Sequence, residues 1–157
     1  MKGPDRQRVG VDTTFLLAHS VEGHPEHSAA VAWLGHLLGR ENTLLVCPVV
    51  FDEFVHVVTD ARRFERPATV VEALALVETW VHSKEVECVF PDEAACRLQR
   101  DWMREHRLGR KRIHDTAIAA TYSLHEARWL LSTNQRDFTI FGCFDVINIQ
   151  KDIFGKS

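Results

Sequence analysis

The sequence of 157 residues lacks several features that mark particular protein classes. No apolar run approaches the roughly 20 residues that a membrane-spanning helix needs. The charged start, MKGPDRQRVG, has no apolar stretch typical of a signal peptide. Repeats, low-complexity tracts and interdomain linkers are also absent. We therefore expect residues 1–157 to form a single domain around one hydrophobic core.

The sequence also has no closely spaced cysteines and no excess of positive charge. Cys47, Cys88, Cys96 and Cys143 are far apart and form no CxxC pair, which argues against zinc. Three of them have apolar neighbours, so we interpret them as reduced core thiols in a cytoplasmic protein. The formal charge of −3 argues against a protein that coats nucleic acid through bulk positive charge, but it allows a local basic patch.

Short apolar segments alternate with longer helical patterns along the chain. We predict strands over residues 8–12, 43–46, 86–90, 129–131 and 145–149. Prolines at 25, 48, 67 and 91 suit the first turns of four helices, and a further helix begins at Ile113. A polar loop is predicted after residue 131. The alternation indicates βαβ units, and hence an α/β fold with a mostly parallel sheet.

Acidic and amide side chains follow these strands where parallel sheets bind their ligands. Asp12 ends the first strand, and Glu53 lies in the first turns of the helix after the second strand. Asp115 lies in the first turn of its own helix, while Asn134 and Asp137 follow the fourth strand. Clustered carboxylates repel one another unless a cation offsets their charge, and oxygen ligands suit Mg²⁺ or Mn²⁺. The pattern therefore indicates phosphodiester hydrolysis.

Four motifs in the same order carry a family resemblance. They are VDTTFLLA, PVVFDEFVHVV, IHDTAIAA and STNQRDF, the last followed by DVINI. Together they span nearly the whole chain and resemble PIN-domain ribonucleases, most of all the VapC-like toxins of type II toxin–antitoxin pairs. The resemblance implies a PIN-like three-layer sandwich with a five-stranded sheet. It also implies an endoribonuclease that depends on Mg²⁺ or Mn²⁺ and is inhibited by a small cognate antitoxin.

The resemblance also implies roles for individual residues. Asp12 and Asp115 would be the principal metal ligands. Glu53, favoured by the motif over its neighbour Asp52, would be a third ligand or would orient the attacking water. A hydroxyl from Thr13 or Thr14 would support the first acid.

The fourth acidic position of the family falls on Asn134. An amide oxygen can coordinate a metal ion or hold a water, but it brings no negative charge. Asp137 is three residues further on and would supply the carboxylate if the backbone turns it inward. The predicted catalytic set is therefore Asp12, Glu53, Asp115, Asn134 and Asp137, with the fourth position open between the last two.

Basic residues precede the helix that carries Asp115. Arg110, Lys111 and Arg112 lie near a helix N-terminus, where the helix dipole disfavours positive charge. Contact with RNA phosphates would compensate for that position. Two alternatives to a toxin stay open: a PIN nuclease that matures RNA or cuts DNA outside any toxin pair, and a PIN-fold module that binds RNA or a partner without cleaving.

The helix predicted from Pro67 has an unusually wide apolar arc. Val70, Leu74 and Val81 lie on one stripe, and Trp80 lies on another. Burial in the core explains part of this arc. We hypothesise that the remainder, including Trp80, contacts a second copy of the chain or an antitoxin.

Overall fold

A parallel sheet lies at the centre of the computed structural model, which describes residues 3–150. Its strands are β1 (Arg8–Val11), β2 (Thr43–Val46), β3 (Val86–Cys88), β4 (Trp129–Ser132) and β5 (Asp145–Asn148). The strand order is β3-β2-β1-β4-β5, and all neighbouring pairs are parallel. The order reverses between β1 and β4, so ligands are expected beyond the carboxyl ends of these two strands.

Seven α-helices connect the strands within residues 3–150. They are α1 (Thr13–Ser20), α2 (His27–Gly39), α3 (Pro48–Val58), α4 (Val70–Val81), α5 (Glu93–Glu105), α6 (Ile113–Leu124) and α7 (Gln135–Thr139). A 3₁₀ turn (Arg110–Arg112) precedes α6. Among these residues, no helix has the length and apolar character needed to cross a membrane.

Helices cover both faces of the sheet. Consecutive strand side chains point to opposite faces, yet Leu130 and Leu131 in β4 are both buried, as are Leu44 and Leu45 in β2. Burial on both faces is the reason why these strands are continuous apolar runs instead of alternating ones. The predicted α/β sandwich with a five-stranded parallel sheet is confirmed.

Several element boundaries differ from the prediction, two of them because side chains cap helices α1 and α4. The first strand ends at Val11, since Asp12 is the N-cap of α1. Helix α4 begins at Val70 and not at Pro67, because Thr69 and Glu72 form a capping box. The segment after β4, which was predicted as a loop, contains the short helix α7.

The interface hypothesis was wrong for Trp80. This side chain is only 9% exposed and belongs to the core, where its ring lies edge-on to His19 with 5.6 Å between centroids. The large apolar residues exposed on α4 are instead Val70, Val71, Leu74, Leu76 and Val81, of which Val71 is the most exposed at 79%. Both apolar stripes have helical spacing, so periodicity alone could not show which one packs inward.

Tyr122 of α6 joins the ends of β1 and β2 beneath the carboxyl edge of the sheet. Its buried hydroxyl donates to the carbonyl of Val11 at 2.6 Å and accepts from the N–H of Cys47 at 3.1 Å. A Cβ atom at Gly10 would lie 2.4 Å from the Tyr122 ring, so only glycine permits this approach. The contact fixes the backbone immediately before Asp12.

Candidate active site

Asp12 is the most constrained acid at the carboxyl edge of the sheet. It is 3% exposed, and its Oδ1 accepts from the N–H of Thr13 at 2.8 Å. Its Oδ2 accepts from the hydroxyls of Thr14 and Ser132, both at 2.8 Å. Burial raises the pKa of Asp12, while these three hydrogen bonds oppose the rise. The carboxylate is therefore held in one orientation at the end of β1.

Glu53 is linked to the Asp12 region through the hydroxyl of Thr13, the residue that follows Asp12. The Oγ1 of Thr13 donates to Oε2 of Glu53 at 2.6 Å, which links the start of α1 to α3. Asp52, the competing acid on α3, is exposed to solvent. Of these two acids, Glu53 is the one that a hydrogen bond connects to Thr13, the residue after Asp12.

The pKa of Asp115 is affected by the charges of the other acids at this edge of the sheet. Its side chain is 27% exposed, and burial is the largest cause of a pKa raised to about 7. The charges of Asp12, Asp137 and Glu53 raise the pKa further, while Arg112 lowers it. Asp115 therefore lies close enough to three other carboxylates for their negative charges to disfavour its ionisation.

Asp137 completes the cluster and is held from two sides. The amide Nδ2 of Asn134 donates to its Oδ2, and the Arg112 guanidinium donates to its backbone carbonyl. Nη1 of Arg112 lies 3.4 Å from Oδ1 of Asp137, and Nε lies 3.7 Å from Oδ2 of Asp115. Asp137 therefore faces the acids, and Asn134 supports it.

The comparison with known protein families agrees with this arrangement. The chain matches the family model described as PIN domain over residues 9–141, which spans β1 to the region after α7. The protein belongs to the PIN domain family. The predicted family resemblance is thereby confirmed.

Individual relatives of this PIN domain are ribonucleases and toxins. Ribonuclease VapC24 of Mycobacterium tuberculosis is 27% identical over 136 residues, covering 85% of this chain and 91% of the relative. The crystal structure of VapC20 from the same species, a toxin that cleaves the sarcin–ricin loop, superposes with a TM-score of 0.67 at 17% identity, covering 89% of this chain and 97% of VapC20. A chain of a toxin–antitoxin complex from Klebsiella pneumoniae superposes with a TM-score of 0.57 at 16% identity. The match covers 90% of this chain and 97% of the Klebsiella chain. At these identities the two structures establish the fold alone.

Sequence reasoning missed one member of the PIN site, Ser132. This fully buried residue donates to Asp12 from its hydroxyl, which also accepts from the N–H of Asn134 at 2.9 Å. It thereby connects the first acid to the start of α7, where Asn134 is the N-cap and Asp137 lies in the first turn. The available signal in the sequence was a hydroxyl residue at the end of an apolar strand. The structure alone shows that this strand lies beside β1.

The three predicted RNA-binding residues differ in their surroundings. Arg110 and Lys111 are exposed on the 3₁₀ turn, where phosphates can reach them. Arg112 is instead half-buried, with its guanidinium directed at Asp115 and Asp137. The structure therefore separates Arg112 from the other two.

The donor chemistry of the PIN site fits a hard divalent cation. Carboxylate oxygens from several elements share one edge of the sheet, and their mutual repulsion is relieved by positive charge. Within residues 3–150, however, no group of three or more His, Cys, Asp or Glu side chains is arranged to hold a metal ion. Oxygens of Glu53 and Asp137 are engaged by Thr13, Asn134 and Arg112. A divalent ion held by Glu53 or Asp137 would have to replace some of these contacts.

Proposed function

We propose that the protein is a divalent-metal-dependent endoribonuclease and the toxin of a type II toxin–antitoxin pair. The observation that carries this proposal is the acidic cluster at the switch point between β1 and β4. There burial, together with the charges of Asp12, Asp137 and Glu53, raises the pKa of Asp115 to about 7. Membership of the PIN family and the ribonuclease relative support the same conclusion.

Asp12 and Asp115, with Glu53 as a third ligand, would hold Mg²⁺ or Mn²⁺. When bound, such an ion neutralises charge at the scissile phosphate and activates water for attack. Thr14 and Ser132 keep Asp12 oriented, and Oδ1 of Asp12 has a lone pair left beyond its bond to Thr13.

The remaining polar groups bind and position the substrate. Glu53, placed by its hydrogen bond from Thr13, is suited to orient the attacking water if it does not bind the ion. Arg110 and Lys111 are exposed before α6 and supply phosphate contacts on the RNA strand. Asp137 supplies the fourth carboxylate, and Asn134 holds it in place.

The activity is tested by comparing two acid-to-amide substitutions. Asp12→Asn keeps the shape of the side chain but removes its charge, so RNA cleavage with Mg²⁺ or Mn²⁺ should fall more than about 100-fold, beyond the usual effect of losing an outer-shell partner. Asp52→Asn makes the same chemical change on an exposed acid and should stay within about twofold. Sequencing of RNA 5′ ends after induced expression measures both variants. If Asp12→Asn cleaves RNA as fast as the unmodified protein, the proposed metal-dependent activity at this site is refuted.

We further propose that the exposed face of α4 binds the antitoxin. Val70, Val71 and Leu74 lie on one side of α4 and are 55%, 79% and 48% exposed, so they form an apolar patch on the surface. An amphipathic segment that buries its apolar side against such a patch gains affinity from the hydrophobic effect. The Klebsiella complex shows that a related fold assembles with an antitoxin.

Val71→Glu tests this surface without disturbing the core. It should weaken binding of the antitoxin encoded beside the gene, because it places a charge in the apolar contact. Phe90→Glu is the matched control, since Phe90 is 63% exposed but lies outside α4. Light scattering on the toxin alone measures the predicted homodimer in the same proteins. Unchanged antitoxin affinity in Val71→Glu would place the antitoxin elsewhere.

A further inference from the structure

Arg112 occupies an unusual position for a basic residue near a substrate that carries phosphates. Its side chain is 22% exposed, so most of the guanidinium is withdrawn from solvent. One terminal nitrogen donates to the backbone of Asp137, and the other lies near the carboxylate of Asp137. The guanidinium therefore lies inside the acidic cluster instead of on the RNA-facing surface.

The guanidinium of Arg112 makes no hydrogen bond to Asp115. Its Nε is a buried atom without a hydrogen-bond partner, since the nearest oxygen of Asp115 is 3.7 Å away. A buried donor that lacks a partner carries a free-energy cost. Arg112 is therefore firmly anchored to Asp137 but only loosely held by Asp115.

We propose that Arg112 is a resident counter-ion, which stabilises the acidic cluster before metal loading and is displaced from Asp115 when a divalent ion binds. This inference rests on the proposed metal-dependent function. The guanidinium supplies one positive charge to carboxylates that would otherwise repel one another. A divalent ion at Asp115 and the guanidinium repel each other, so the two cations compete for the same carboxylate. The anchor at Asp137 keeps the displaced side chain close to the site.

Competition of this kind has two opposite consequences. Removing the charge of Arg112 should destabilise the metal-free protein, because partly buried carboxylates then lack a counter-charge. The same change should strengthen metal binding, since the ion no longer competes with a resident cation. A residue that only shapes the site would weaken both properties together.

Arg112→Gln should therefore bind Mn²⁺ about tenfold more tightly in titration calorimetry without RNA. In chelator its melting temperature should fall by roughly 3–8 °C. Arg112→Lys keeps the charge and should keep the Mn²⁺ affinity within about threefold. Equal or weaker Mn²⁺ binding by Arg112→Gln would overturn the proposal.

Arg104→Gln is the matched control. Arg104 pairs with Asp101 at the same spacing of three residues as Arg112 with Asp115, but at 3.1 Å and with both side chains well exposed. The control removes the same charge from an exposed ion pair and should change neither Mn²⁺ affinity nor melting temperature measurably.

Two further measurements separate the possible failures. If Asp12→Asn and Asp115→Asn bind Mn²⁺ as the unmodified protein does, the metal site itself is wrong and the proposed function fails. If they lose binding while Arg112→Gln behaves like the unmodified protein, only the counter-ion proposal fails. The Nε resonance of Arg112 in the unmodified protein provides a test that needs no variant to fold. It should shift on saturation with Mg²⁺, and an unchanged resonance would also overturn the proposal.

Discussion

Replacing Asp115 with asparagine should make the metal-free protein more stable at pH 8.0, although the substitution removes a proposed metal ligand. In the folded protein, burial and three neighbouring acids disfavour the charged form and raise the pKa of Asp115 from 3.8 to about 7. An amide of the same shape has no such charge. The folded state should therefore gain free energy relative to the unfolded chain.

The magnitude follows from the size of the pKa shift. The rise of the Asp115 pKa from 3.8 to about 7 corresponds to an upper bound of about 4 kcal/mol, because each tenfold change in proton affinity is roughly 1.4 kcal/mol. The Asp115 side chain is 27% exposed, so solvent screens part of this repulsion. We expect a gain in the free energy of unfolding of about 1–2 kcal/mol, or a melting temperature higher by roughly 2–8 °C.

The sign of the pH dependence also follows from the raised pKa. Below pH 4 the carboxyl is protonated in both states and costs nothing. Between pH 4 and pH 7 the unfolded chain loses the proton while the folded protein keeps it, so the stability of the unmodified protein falls. Above pH 7 the penalty is complete. The advantage of Asp115→Asn should therefore be larger at pH 8.0 than at pH 5.0.

Urea unfolding in chelator at these two pH values measures the difference directly. Saturating Mn²⁺ at pH 8.0 should reverse the order, because only the unmodified protein gains stability by binding the ion. An Asp115→Asn protein that is less stable in chelator at pH 8.0 would refute the reasoning. An advantage of equal size at both pH values would refute it too.

Five other substitutions test the residues that support the site. Tyr122→Phe leaves two buried backbone groups without their partner, so the free energy of unfolding measured in urea should fall by about 1–3 kcal/mol. Gly10→Ala forces a methyl group into the Tyr122 ring and should cost about 1–3 kcal/mol in the same assay. Asn134→Asp replaces a donor to Asp137 with a second carboxylate, so it should lower the melting temperature in chelator but tighten Mn²⁺ binding in calorimetry. Asp137→Ala should reduce the cleavage rate more than Asn134→Ala does, because the amide acts through Asp137.

Local sequence patterns were sufficient for the α/β class, the parallel sheet and the PIN family. Apolar runs such as Leu44 and Leu45 predict strands covered on both faces, because neighbouring residues of a strand point to opposite sides. The order of the acid-bearing motifs was also readable, since parallel strands bring their carboxyl ends to one edge. The catalytic roles of Asp12, Glu53 and Asp115 remain predictions that the cleavage assay addresses.

Only the tertiary structure decided contacts between residues that are distant along the chain. Ser132 reaches Asp12 because β4 lies beside β1, a pairing that no local pattern encodes. Trp80 is buried because of how α4 packs, while its helical spacing allowed either face to point inward. Arg112 resembled a surface phosphate contact in the sequence, yet α7 places Asp137 against it and draws it into the acidic cluster. Periodicity determines which face of an element is apolar, but the packing of elements determines which polar groups meet.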